Sequence, residues 1–164
     1  RYVVKKSYAG NPKILSDAIL HADKPREGQI YGTKENEGLK LLRSLILSNE
    51  GNAIYICIGA TWCPATMHEL PFMLDLSKKN RNKPLRVVNF YIDNGSDGTN
   101  PLTTGIETYH LTDEQRLGFD PILHLGRGIP FYLLIDKNGT IVNFGEHLRP
   151  SFPETKIIID KYME

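Results

Sequence analysis

The stretch Trp62-Cys63-Pro64-Ala65-Thr66 decides the reading of this chain. It follows an apolar run, Ala53-Ile54-Tyr55-Ile56-Cys57-Ile58, and opens an amphipathic segment. That order predicts a buried strand over 53–58, a tight turn, and a helix with a cysteine at its mouth. Pro64 suits the first helical position, where its missing N–H costs nothing. A helix start carries unpaired N–H groups and the positive end of the backbone dipole. Both stabilise a thiolate, so Cys63 is the candidate nucleophile. The opposing reading is a buried, inert core cysteine.

Working outward, Glu35–Leu47 has Leu39, Leu42, Leu45 and Ile46 at helical spacing, and Glu50-Gly51-Asn52 ends it. The helix opened by Pro64 is expected to reach about Asn80, with a kink at Pro71. Leu85–Ile92 reads as a strand, followed by a long polar loop over Asp93–Gly98. Residues 103–119 read as one or two short helices starting near Thr112-Asp113. Phe131–Ile135 and Thr140–Phe144 read as a hairpin around Lys137-Asn138-Gly139. Ser151 with Glu154 reads as a capping box opening a last helix to about Met163. The predicted order is α, β, α, β, α, β, β, α: an α/β domain with one mixed sheet and helices on both faces. Residues 1–33, broken by Asn11-Pro12, Lys24-Pro25 and Gly28, read as an N-terminal extension that packs on a 34–164 domain. A short helix is expected at Ser16–His21.

Composition narrows the function classes. The 164 residues are 40% hydrophobic and 24% charged, enough for one ordinary core. A net charge of +1 gives no reason to expect a nucleic-acid partner. The basic cluster Lys78, Lys79, Arg81, Lys83 and Arg86 falls where a helix should end and opposes its dipole. No apolar run nears the ~18 residues of a membrane span. The chain starts at Arg1, not Met, so it is expected to be a processed product or a fragment, with room for a membrane or lipid anchor outside it.

Two separate blocks resemble one family. Ala60-Thr61-Trp62-Cys63-Pro64-Ala65-Thr66 with Glu69-Leu70-Pro71 resembles the first βα unit of the exported bacterial thiol–disulfide oxidoreductases of the TlpA/ResA type, within the wider redoxin group (AhpC/TSA). Gly128-Ile129-Pro130-Phe131 through Val142 resembles that family's cis-proline strand and hairpin. The resemblance spans about 35–164 and implies a thioredoxin fold. It also implies redox chemistry on protein disulfides or thiols, or on a small-molecule thiol, without a cofactor or metal, in the periplasm or cell envelope.

One change stands out against that family. Its Cys-x-x-Cys motif is here Cys63-Pro64-Ala65-Thr66, so the resolving sulfur is missing. Thr66 either donates a hydrogen bond to a Cys63 thiolate or satisfies a helix N–H. It cannot attack a mixed disulfide. Cys57 stands where thioredoxins carry a buried acid. It reads as core, or as a second thiol whose place in a strand fits poorly with the ~4 Å Cβ separation of a disulfide. By resemblance, Glu69 is a buried acid beside the site, placed to tune the thiol or accept its proton, its alternative being a solvated helix charge. Ile129-Pro130 is a cis bond beside Cys63 whose backbone pairs with substrate peptide, and Trp62 and Pro64 border the same groove. Other patterns are weaker. His68, His110, His124 and His147 lack metal-ligand spacing, and Asp93, Asp97 and Gly98 read as a solvated turn, not a calcium loop. Peroxiredoxins carry Thr or Ser where this chain has Ala60. The two function classes left are a single-cysteine thiol–disulfide oxidoreductase and a non-catalytic thioredoxin-fold binding module using the same groove.

Overall fold

The computed structural model describes residues 37–49, 51–93, 105–123 (backbone alone over 120–123) and 128–164. The expected extension over 1–33 and its short helix, His124, Asp97 and Gly98 lie outside the described residues.

The described elements run α1 (Glu37–Ser48), β1 (Ala53–Gly59), α2 (Pro64–Lys79), β2 (Leu85–Tyr91), β3 (Glu107–His110), α3 (Asp113–Leu123), β4 (Phe131–Ile135), β5 (Ile141–Phe144), a 3-10 turn (Glu146–Leu148) and α4 (Pro153–Met163). The five strands form one sheet in the order β3-β2-β1-β4-β5. β1 pairs parallel with β2 and antiparallel with β4, so the sheet is mixed. Every residue of β1 is buried. A central strand covered on both faces needs no alternation of polar and apolar residues, and the run 53–58 shows none.

Side chains alternate across the sheet and build two cores. On one face Ile54, Ile56, Ile58, Val88, Phe90, Leu133 and Ile135 pack with Leu39, Leu42 and Leu45 of α1 and Phe119 of α3. Gly38 lets α1 lie directly on α3, because a Cβ there would run into the Gln115 carbonyl. On the other face Tyr55, Cys57, Val87, Tyr132 and Leu134 pack with Leu70 and Met73 of α2 and Ile159 of α4. The second face carries the site.

The expected order gains one strand: residues 107–110 form β3, which pairs parallel with β2, and the helix starts at Asp113, as expected near Thr112-Asp113. Glu107 is tied there by Arg86, whose Nε and Nη2 each donate to its carboxylate at 2.7 Å. The Arg86 charge therefore serves the sheet edge, not the helix end. Ser151 and Glu154 do not form a capping box. Phe152 is the N-cap of α4 with Pro153 following, and no side chain caps it. Ser151 is engaged elsewhere, as described next. Among the described residues no helix is long and apolar enough to cross a membrane.

Candidate active site at the mouth of α2

Cys63 is the N-cap of α2, in extended conformation (φ −87°, ψ 116°), with Pro64 as first helical residue. Its N–H donates to the Ala60 carbonyl at 3.2 Å, closing the turn out of β1, and its carbonyl accepts from Met67 N–H at 3.0 Å. The thiol lies 3.8 Å from the Ile129 carbonyl oxygen. The Ile129–Pro130 peptide is cis. The helix mouth and the loop before β4, 66 residues apart in sequence, thus meet at one sulfur. Cys63 is only 8% exposed, whereas Trp62 beside it is 61% exposed. Pro64 is exposed and Pro130 buried.

Thr66 is buried one turn into α2. Its hydroxyl accepts from the Ala60 N–H at 3.3 Å. A Cβ on Gly59 would stand 2.6 Å from its methyl group, so β1 and α2 touch at this pair. Thr66 therefore ties the turn to the helix, satisfying a loop N–H and not a helix one.

Glu69 is also buried, at 4% exposure. One carboxylate oxygen accepts from the Ser151 N–H at 3.0 Å and the other from the Ser151 hydroxyl at 2.9 Å. This is why Ser151 caps nothing. The pair joins α2 to the segment leading into α4. His68, on the exposed side of α2, reaches to 3.8 Å from the same carboxylate.

Asp93, read from sequence as part of a solvated turn, has a definite structural task. Its carboxylate accepts from the Thr61 N–H at 2.9 Å and from the Thr61 hydroxyl. Thr61 precedes Trp62-Cys63, so the segment just after β2 holds the turn that leads to Cys63. The Asp93 carbonyl in turn meets His110 Nδ1 at 3.0 Å. No short sequence pattern marks this clamp, since 32 residues separate its partners. An Asp just after a strand facing a Thr just before the cysteine is the only cue.

Cys57 sits in the middle of β1, opposite Asn89 on one side and Tyr132 on the other. Burial pushes its thiol up to about 12, against a smaller downward pull from the Tyr132 hydroxyl. A thiol raised in this way keeps its proton at ordinary pH. Both cysteines are free thiols. Among the described residues no group of His, Cys, Asp and Glu could hold a metal ion. His147 instead meets Asn143 Oδ1 at 2.8 Å.

No family model matches the sequence, and no curated protein does. Solved structures do. Two structures from Bacteroides vulgatus, both described as candidate thiol–disulfide oxidoreductases, are 27% and 29% identical to this chain. Each superposes with a TM-score of 0.57, covering 70% and 71% of this chain and 81% and 76% of theirs. A thiol:disulfide interchange protein of the thioredoxin family from Chlorobium tepidum is 19% identical, with a TM-score of 0.56 over 72% of this chain and 84% of its own. At that identity it speaks to the fold alone. The structural neighbours are thus thiol–disulfide oxidoreductases and thioredoxin-family proteins, and the chain has their fold: a mixed five-stranded sheet flanked by helices.

Proposed function

We propose that this thioredoxin-fold chain performs single-cysteine thiol–disulfide chemistry at Cys63. The observation that carries the reading is the seat of that thiol: at the N-terminus of α2, 3.8 Å from the Ile129 carbonyl, with Thr66 where a second sulfur would stand. In the reaction the Cys63 thiolate attacks one sulfur of a disulfide in a partner protein or a small thiol compound. A Cys63–partner S–S bond forms, the partner's own S–S bond breaks, and its other sulfur leaves as a thiolate. An external thiol then attacks the mixed disulfide and restores Cys63. The backbone at Ile129-Pro130 lines the groove in which an extended partner segment pairs, with Trp62 and Pro64 at its rim. Thr66 and Glu69 support the site by holding the turn and the helix in place, through Ala60 and Ser151 respectively.

The test is to expose the native extract to protein in which Cys63 is the only thiol (Cys57→Ser) and isolate disulfide-linked species. Reducible adducts that disappear in Cys63→Ser support the reading; their absence, or their persistence in Cys63→Ser, refutes it. An exported, cell-envelope setting belongs to the same reading through the family resemblance. Recovery of the protein in the cytosolic fraction would remove that part.

One observation favours the rival class, a binding module without turnover. Cys63 is 8% exposed, and the groove beside it presents an exposed Trp62. In that case peptides should bind with equal affinity to Cys63→Ser, whereas a thiol–disulfide protein loses retention of disulfide-bearing partners.

A further inference from the structure

Three polar side chains lie near Cys57, on the sheet face that α2 and α4 cover. Asn89 is its partner in the parallel ladder and Tyr132 its partner in the antiparallel one. Tyr91 follows Asn89 by two residues and so lies on the same face. All three are fully buried, at 0% exposure. Neither amide atom of Asn89 has a hydrogen-bond partner and neither does the Tyr91 hydroxyl, while the Tyr132 hydroxyl meets only the Cys57 thiol. Tyr55, stacked on Tyr132 at 5.8 Å between ring centroids, shows the contrast: its hydroxyl donates to the Leu148 carbonyl at 2.6 Å. Three unpaired polar atoms, and a fourth with only a thiol beside it, are too many for a dry core, because a thiol is a weak partner.

We propose that Asn89, Tyr91, Tyr132 and Cys57 form a built internal site for ordered water. The donor set fits water and little else. The amide supplies two donors and an acceptor, each hydroxyl one of each, and a buried water typically makes about three bonds. None of the four carries a charge, since burial holds the Cys57 thiol and both tyrosines protonated, so neither a cation nor an anion is called for. On this face β1 presents Tyr55, Cys57 and Gly59, so the side chains opposite Asn89 and Tyr91 are small. The water joins β1, β2 and β4 from within and gives Cys57 a hydrogen-bonding role in the core. The site stands independently of what Cys63 reacts with.

A high-resolution crystal structure of the whole chain decides the matter. The proposal expects an ordered water within about 3.2 Å of an Asn89 amide atom and of at least one of the two tyrosine hydroxyls. A dry cluster, with the amide bonded directly to the hydroxyls and no water density, overturns it. Thermal unfolding of Tyr91→Phe and Tyr132→Phe gives a second reading. Loss of a water ligand lowers the midpoint by about 2–4 °C in each variant. An unchanged or raised midpoint in both variants means that the hydroxyls sit unpaired in a dry interior, which also overturns the proposal.

Discussion

The two cysteines are both buried free thiols, but they sit in different places. Cys63 caps a helix at the edge of the fold; Cys57 is walled in by two strands, its thiol raised to about 12 by burial. Alkylation in the native state should therefore be fast in Cys57→Ser, which retains only Cys63, and slower by at least ~10-fold in Cys63→Ser. Equal rates would remove Cys63 as the reactive thiol. Glu69 is a sharper lesson at this scale. The sequence presents it as either a buried acid or a solvated charge, and only the fold shows Ser151, 82 residues away, donating to both its oxygens. Glu69→Gln turns one acceptor into a donor facing a donor. A stability loss of about 1–3 kcal/mol in denaturant titration is expected, and a smaller loss of about 1 kcal/mol for Ser151→Ala. Thr61 and Asp93 belong with it: both were visible as residues, but their clamp needs the third dimension.

At the scale of elements, the long apolar strand and the cysteine-led helix were legible because each has an unmistakable local pattern. β3 was not, because Glu107–His110 is a four-residue edge strand, half exposed and without an apolar run. Its strand state comes from pairing with β2 and from the Arg86–Glu107 bridge, neither of which is local. The last helix is legible in the sequence but its start is not, since Ser151 matches a capping pattern while its hydroxyl donates to Glu69 of α2. The contact between β1 and α2 yields two expected outcomes. Gly59→Ala drives a methyl to 2.6 Å from Thr66 and should cost about 1–3 kcal/mol, with part of that recovered in the Gly59→Ala/Thr66→Ala double variant. Thr66→Cys gives up the bond to Ala60 N–H but supplies the missing resolving sulfur. It should form a disulfide with Cys63 on oxidation and reduce insulin much faster than the parent, because the second attack becomes intramolecular. Free-thiol counts and initial rates measure both. A variant that forms the bond yet stays slow would favour the binding module.

Across the whole molecule, the sheet is bound at its far edge by charge and at its centre by apolar burial. Burial alone would raise the Glu107 carboxyl. Hydrogen bonds from Arg86 and Tyr109 and the Arg86 charge outweigh that and hold it below the usual carboxylate range. A carboxyl depressed in the folded state contributes stability that is present above its unfolded pKa and lost as the pH falls through the folded one. The midpoint of the parent should exceed that of Glu107→Gln at neutral pH, and the gap should close in acid; a gap independent of pH contradicts the bridge. The central claim is that Cys63 alone exchanges disulfides. Its most direct test is intact-mass analysis after incubation with oxidised glutathione: Cys57→Ser should gain one glutathione, lost again on reduction, and Cys63→Ser none. Equal adducts on the two variants, or an adduct on Cys63→Ser alone, would contradict the account.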